Sequence, residues 1–374
     1  MGTRLGRAVI FEMLTFGNGG RLPLILYPTS FGRYYQNKDF GRGDSMELLA
    51  RHAAVLFVED YVNCSGALRA PEECDGHRPP LHSLRVTKEK ILLGAHMSIG
   101  GGVHTAIERG CSIKCTAIQM FVKNNMQWFA RPLAREEIRA FLEHRQRGQL
   151  LSIFAHANYL INLAATNPQF LENSIRALSE ELIRADQLEL PFLVLHPGAH
   201  LGAGEEVGLN KIVDSINRVF RKIQKVKTRI ALETTAGQGS CLGYRFEQIA
   251  YIMENVRQPE RLCVCLDTAH VFAAGYDIGT EAGVKKTFRE FDRVIGLNRL
   301  AAIHVNDSKT VRGSRVDRHQ HIGKGQIGLD TFRFIMRDGR FRKIAKVLET
   351  PKSKAMREDV ANLKTLRRLV GRSD

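Results

Sequence analysis

Histidines and acids recur in this chain at one kind of place, the end of a short apolar run. SIFAH ends on His156, FLVLH on His196, RIALE on Glu233, CVCLD on Asp267, LAAIH on His304 and AKVLE on Glu349. ILLGAH ends the same way on His96, for which no metal role is assigned. Imidazole nitrogens and carboxylate oxygens are ligands that zinc accepts. Carboxylates can also bridge two metal ions about 3.5–4 Å apart, an arrangement suited to phosphoryl chemistry.

Further groups follow within a few residues. LDTAH sets His270 one turn after Asp267, and VDRHQH sets Asp317 and His319 on either side of Arg318, a cation able to hold a phosphate oxygen. HVND places Asn306 and Asp307 behind His304, as supporting or loop-closing groups. HPGAH holds two histidines; His196 is preferred because it ends the run, and His200 is left unassigned. One histidine at a strand end is ordinarily a satisfied structural residue. Five histidines and four acids gathered on one face are different, because burying them together without counter-charge is costly and divalent cations remove that cost.

Something must gather them. From Ile91 onward the chain alternates apolar runs with stretches of 3–4 apolar spacing. The runs predict strands over 91–96, 117–121, 151–156, 192–196, 229–233, 262–267, 300–305 and 345–349. REEIRAFLEHR, ENSIRALSEELIRADQL, LNKIVDSINRVFRKIQ, RFEQIAYIMENV and DTFRFIMRD predict helices between them. Strands alternating with helices at this count predict an α/β fold, a (β/α)8 TIM barrel over residues 90–374, in which all strand C-termini share one face. Continuously apolar strands fit a sheet covered on both sides. Counting back by two from each strand-end ligand predicts the barrel interior: Phe154 and Ser152, Val194 and Phe192, Ala231 and Arg229, Ala302 and Leu300, Val347 and Ala345. Arg229 is the exception, placed at the bottom rim.

Residues 1–89 read differently. They carry Gly/Pro/Arg-rich patches such as GNGGRLP and RPPLHSLR, short apolar runs and no sustained period. They are expected to form a poorly ordered N-terminal extension, with Met46 as an alternative start. Neither a transit peptide nor a secretory signal is well matched.

The whole chain has 374 residues, 44% of them hydrophobic and 25% charged, and no run nears the roughly 18–20 apolar residues of a membrane span. Its 55 Lys and Arg against 39 Asp and Glu give a net charge of +16, which favours polyanionic partners and nucleic acid first. Charge alone leaves a generally basic surface as an equal alternative. The seven cysteines show no CxxC pairs and so suggest neither a disulfide framework nor a Cys-type zinc site. Cys263 and Cys265, two apart on one strand, are expected inside the barrel. This is the profile of a reducing compartment. GKGQIG matches GxGxxG but has no preceding strand, and TAGQGS lacks the lysine of a P-loop; the first reads as a turn into a helix, the second as a loop that lets a ligand approach.

Together the motifs resemble the endonuclease IV family of apurinic/apyrimidinic endonucleases. The matching segments are GAHMSIGGG, KNNMQW, HANYLINLA, LHPGAH, ALETTAGQGS, LDTAHVFAAGYD, HVNDSK, GSRVDRHQHIGKGQIG and LET, spread from about residue 91 to about residue 352. The resemblance implies a TIM barrel with three zinc ions, manganese being acceptable at one or more positions. His156, His196 and Glu233 would hold the first. Glu233 as a bridge, Asp267, His304 and Glu349 would hold the second, and His270, Asp317 and His319 the third. It implies hydrolysis of the phosphodiester 5′ to an abasic site, leaving a 3′-hydroxyl and a 5′-deoxyribose phosphate, and removal of blocked 3′ ends in base excision repair. Glu233, Glu349 and Arg318 would be catalytic. Gln127 and Tyr159 match positions that enter the DNA; Met126 stands where many members have Arg and would wedge into the base stack. His96 and Asn306 would line the pocket. The implied partner is double-stranded DNA, with no membrane and a monomeric chain. The implied location is the cytoplasm of a bacterium, at the nucleoid, or the nucleus or mitochondrion of a eukaryote.

Two alternatives remain at this point. A divalent-metal sugar isomerase or epimerase on the same barrel would also place His, Glu and Asp at strand ends, without needing the DRH segment, a third metal or a basic surface. A DNA-damage binding module without catalysis would not need a complete ligand set.

Overall fold

The computed structural model describes residues 91–371. The expected extension over 1–89, its boundary with the barrel, and Met46, Cys64 and Cys74 lie outside the described residues.

From Leu93 onward strand and helix alternate: β1 (Leu93–Met97), α1 (Thr105–Ser112), β2 (Ala117–Phe121), α2 (Arg135–Arg147), β3 (Ser152–His156), α3 (Pro168–Gln187), β4 (Phe192–Leu195), α4 (Glu205–Lys222), β5 (Arg229–Glu233), α5 (Phe246–Asn255) and β6 (Leu262–Asp267). Then come α6 (Thr268–Ala274), α7 (Glu281–Val294), β7 (Leu300–His304), the short strands β8 (Asp307–Ser308) and β9 (His319–Gln320), α8 (Leu329–Arg337), β10 (Ala345–Leu348) and α9 (Arg357–Leu369). β1 to β7 and β10 close a parallel barrel in the order β1-β10-β7-β6-β5-β4-β3-β2, while β8 and β9 form a separate antiparallel ribbon. The TIM-barrel expectation therefore holds. Among the described residues no helix is long and apolar enough to cross a membrane.

The two faces of each strand bury different cores, as the period of two requires. Inside the barrel Ala117, Phe154, Phe192, Val194, Ala231, Cys263, Cys265, Ala302, Ala345 and Val347 pack as one cluster. Phe154 and Phe192 meet at 4.7 Å between ring centroids. Outside, Ile118, Leu193, Leu232 and Ile303 face the helices and join Phe141, Leu178, Ile216, Ile252 and Phe288. One interior expectation is corrected. The pairing of β6 with β7 shifts register between Val264 and Cys265, so Val264 meets Leu300 and Cys265 meets Ala302. The extra residue turns Leu300 to the outer core and brings Ala301 against the interior cluster.

Register also brings the strand ends level. Asp267 pairs with His304, Val347 with the same His304, and Glu233 with Cys265. Three strands stop one residue short of expectation, at Leu195, His304 and Leu348, so His196 and Glu349 are the first residues beyond their strands. Local signals end and begin the helices behind them. Asn167 caps α3 by accepting from Phe170 N, and Pro168 follows at the first helical position, where no amide is needed.

Burial of the thiols makes a pH prediction. Cys115 and Cys263 are pushed up to about 12 from 9.0, first by desolvation. The unfolded chain loses these protons near 9 while the folded chain keeps them, so this contribution to stability is full below about pH 9 and is lost as pH rises towards 12. In denaturant titrations, Cys115→Ala/Cys263→Ala should show a shallower fall in stability across that window than the unchanged chain.

Candidate metal centre

Glu233, the last residue of β5, stands at the centre and is wholly buried. Its Oε2 lies 2.9 Å from His196 Nε2 and 3.1 Å from His156 Nε2. Its Oε1 lies 2.8 Å from His304 Nδ1 and 3.4 Å from His270 Nδ1. Each oxygen therefore faces a different set of histidines, the disposition of a bridging carboxylate. Glu349 Oε2 comes within 3.1 Å of His304 Nδ1, and Asp267 Oδ2 within 3.7 Å of both His304 Nδ1 and His319 Nε2. Asp317 sets Oδ2 3.1 Å from His270 Nε2 and Oδ1 3.4 Å from His319 Nε2, and those two nitrogens are 3.3 Å apart.

Three groupings have ligand atoms all within 4.8 Å of one another: His156, His196 and Glu233; Glu233, Asp267, His304 and Glu349; and Asp267, His270 and His319. The first two coincide with the expected sets. In the third Asp267 stands where Asp317 was expected, and Asp317 adds its two oxygens to the same histidines.

The histidines are oriented by their other nitrogens. His156 Nδ1 donates to Ala157 O at 2.6 Å, His270 Nδ1 to Thr234 O at 2.8 Å, and His319 Nδ1 to Glu349 O at 3.2 Å. His304 is reversed: Nε2 donates to Gln119 Oε1 at 2.7 Å, leaving Nδ1 for the cluster. With a cation bound, the anchored nitrogen of each would keep its proton, and the other ring nitrogen is the one left to serve as a ligand. Histidine nitrogens and carboxylate oxygens gathered this closely can share a cation, so this donor set fits divalent metal ions with N and O preference.

The charges agree. Burial would raise Glu233, but the charges on His304 and His196 outweigh it and hold the carboxyl well below its ordinary value. Glu349 behaves likewise, burial being opposed first by His304. Burial would lower His270, but Asp267 and Asp317 hold it well above its ordinary value. His304 is raised similarly, against burial, by Cys265, Glu349 and Glu233.

One supporting residue, Gln119, carried no signal that sequence reasoning used. Gln119 of β2 is buried and donates through Nε2 to Glu349 Oε1 at 2.5 Å and to His96 Nδ1 at 2.8 Å, besides holding His304. A polar residue on the inward face of an apolar strand, two after Ala117, was the available sign. Asp267 uses Oδ1 to cap α6 through His270 N at 2.9 Å, which explains the LDTAH spacing. Asn306 lies beneath the site and does not line the pocket as expected: it is fully buried, donates to Asp267 Oδ2 at 2.6 Å and accepts from Glu349 N at 2.7 Å, tying two strand ends together.

Asp307 explains GKGQIG. Its carboxylate accepts from Ser308 N at 2.8 Å, Gly323 N at 2.9 Å, Gly325 N at 3.0 Å and Ile327 N at 3.0 Å. The Gly-rich loop is a cradle filled by the protein's own anion, and a Cβ on Gly325 would collide with Ser308 O and Asp307 Oδ1. The adjoining ribbon pairs Ser308 with His319 and so fixes that histidine. TAGQGS also braces the site from within: Gln238 Oε1 accepts from Asp317 N at 2.9 Å, and Gly237, at φ +73°, passes under the Tyr244 ring.

The other sequence candidates form the rim. Tyr159 is 62% exposed and stands between a groove of about 880 Å³ that includes His96 and Glu349 and a pocket of about 460 Å³ that includes His156 and His196. Met126 is 72% exposed and Gln127 is exposed beside it. His96 opens onto the larger groove, with Nδ1 3.3 Å from Glu349 Oε1. Arg318 is exposed next to Asp317 and donates to its carbonyl at 2.6 Å. His200 accepts from Gly204 N at 3.1 Å and closes its own loop.

The family described as a xylose isomerase-like TIM barrel matches residues 109–366. A protein of Chloroflexus aurantiacus named probable endonuclease 4 is 49% identical over 277 residues, which are 74% of this chain and 97% of that protein. The crystal structure of endonuclease IV from Thermus thermophilus aligns with a TM-score of 0.67 at 33% identity, covering 74% of this chain and 98% of that one. A D-tagatose 3-epimerase-like protein aligns with a TM-score of 0.57 at 18% identity, over 74% of this chain and 97% of that one, a likeness of fold alone.

Two outcomes follow from the geometry. Zinc added to chelator-stripped protein should displace protons from His270 and His304, whose raised values keep them charged at neutral pH, so a pH indicator should record proton release and zinc affinity should fall as pH falls. Asp307→Ala should leave the cradle amides without their acceptor and lower unfolding stability by about 2–4 kcal/mol in urea titration.

Proposed function

The chain belongs to the endonuclease IV family on the xylose isomerase-like TIM barrel, and from that premise we propose that it is a DNA-repair nuclease that hydrolyses the phosphodiester 5′ to an abasic site. The products would be a 3′-hydroxyl and a 5′-deoxyribose phosphate, and the same site would clear blocked 3′ ends. The observation that carries the reading is the shared carboxylate of Glu233, with histidines on both oxygens and further acids behind them.

His156, His196 and Glu233 would hold one zinc ion, Glu233, Asp267, His304 and Glu349 a second, and His270, Asp317 and His319 a third. When bound, such ions supply positive charge at the reacting phosphate and lower the pKa of water from 15.7 towards about 7. Among the four acids, Glu233 and Asp267 are sealed, while Glu349 and Asp317 have side chains 15% and 38% exposed. Glu349 therefore meets the groove and would orient the attacking water and take its proton. Gln119 holds its Oε1 in place through Nε2. Arg318 offers a planar fork for a non-bridging phosphate oxygen.

Met126, Gln127 and Tyr159 would enter the duplex from the rim, and the net charge of +16 would draw the polyanion in. An abasic nucleotide has no base to unstack, so turning it out of the duplex is easier than for an intact one, and a pocket can select it by size. The chain would act as a monomer. The sugar isomerase reading is not favoured, because the relative at 49% identity is named an endonuclease and the epimerase-like neighbour shares the fold alone.

Incision of an abasic duplex by the full chain, with and without chelator, tests this; no incision in the presence of zinc would remove it. Glu233→Gln should abolish incision while the barrel still folds cooperatively, at a lowered melting temperature. Near-normal incision by that variant with its metals retained would contradict the bridging role. Affinity for duplex DNA should fall with salt by about 0.9 in log–log slope per phosphate contacted, and a flat response would exclude duplex DNA as the substrate.

A further inference from the structure

Two loops carry the exposed side chains at the rim, and both are fastened to one helix. The loop after β2 presents Met126 and Gln127; the loop after β3 presents Tyr159. Between them lies a lysine–glutamate pair with both side chains 1% exposed. Lys123 Nζ stands 2.9 Å from Glu181 Oε1 as an ion pair and donates its hydrogen bond to Gln127 O at 2.6 Å. Glu181 Oε2 accepts from Asn158 N at 3.1 Å, and Asn158 Nδ2 donates to the same Gln127 O at 3.0 Å. The contacts close a ring: Lys123, Gln127, Asn158, Glu181. Its neighbours on α3 grip the flanks of the first loop, Arg184 through Val122 O at 2.9 Å and Arg131 O at 2.6 Å, and Glu180 through Ala130 N at 3.0 Å.

Burying two charges is unfavourable unless their partners are well placed, and a packed apolar pair in such a position is often as stable or more so. An ion pair is thus a poor means of adding stability here. It is a good means of fixing geometry, because each charge has one acceptable arrangement and that arrangement joins the two loops.

We propose that the buried Lys123–Glu181 pair is a positioning device for substrate engagement, locking the Met126–Gln127 loop and the Tyr159 loop at one separation so that both enter the duplex together. This rests on the reading of the chain as a DNA endonuclease. Neither residue belongs to a metal-ligand grouping, and Lys123 meets the groove only at a wall it shares with Glu349. The pair should therefore govern how well a duplex is held and leave the hydrolytic step alone.

The experiment compares full-length wild type, Lys123→Met and Glu181→Gln. It measures melting temperature, incision kinetics on an abasic duplex, and zinc-supported hydrolysis of bis(4-nitrophenyl) phosphate, a small diester that does not need both loops to grip a duplex. Lys123→Met should raise KM for the duplex by roughly tenfold or more, with kcat within about threefold and small-diester hydrolysis unchanged. Glu181→Gln keeps an oxygen for Asn158 N and should show a smaller rise in KM. Unchanged KM in a folded Lys123→Met protein overturns the proposal, as does a matching loss of small-diester hydrolysis, which would mean the pair supports the metal centre or the fold instead. If Lys123→Met fails to fold, Glu181→Gln is judged by the same criteria, and unchanged KM there overturns it. Failure of wild type to incise removes the functional reading and this inference with it; wild-type incision with unaltered variants removes this inference alone.

Discussion

Everything at the top of this barrel depends on one buried carboxylate. Glu233 has no solvent and four imidazoles around it, two on each oxygen. A charge so placed must be balanced where it stands. The remaining acids crowd the same few ångströms, and four histidines are each oriented by one ring nitrogen hydrogen-bonded to a carbonyl or amide oxygen beside the cluster. The barrel keeps this unfavourable assembly together because its register brings neighbouring strand ends to the same height and its interior, filled by Phe154, Phe192 and Val347 among others, cannot collapse to relieve it.

Around that centre the loops are held by polar groups that each serve two elements. Gln119 joins β2 to His304 and Glu349; Asn306 joins the ends of β6 and β10; Asp307 gathers the GKGQIG loop and, through the β8–β9 ribbon, sets His319. Ligand geometry is thereby a property of rigid strands and braced loops rather than of the ligands alone. The rim is built by the same rule at larger scale, with α3 fastening the loops that carry Met126 and Tyr159.

Much of this was legible in the sequence because it repeats. An apolar run ending on His, Asp or Glu is a local pattern, and repeated along the chain it pointed to the barrel, the face and six residues of the cluster, while His270, Asp317 and His319 came from the loop motifs that follow. Strand parity named the interior correctly at Phe154, Val194, Ala231 and Val347, since the period of two is local as well. It failed at Leu300, where a register shift set by the neighbouring strand cannot be seen from either strand alone. Gln119, Gln238 and the Lys123–Glu181 pair were missed for a related reason. Each acts across a long stretch of sequence, and nothing near Glu181 marks it as anything but one more acid on a helix. Asn306 was read both as a supporting group behind His304 and as a pocket-lining residue, and its burial matches only the first, because spacing gives proximity and not depth.

The central claim is that these residues form one centre for three cations, two of them sharing Glu233. Native mass spectrometry of the purified full chain counts them directly. The account predicts three divalent ions per chain, lost on treatment with chelator and restored by zinc. One ion, or none after zinc is supplied, would contradict it.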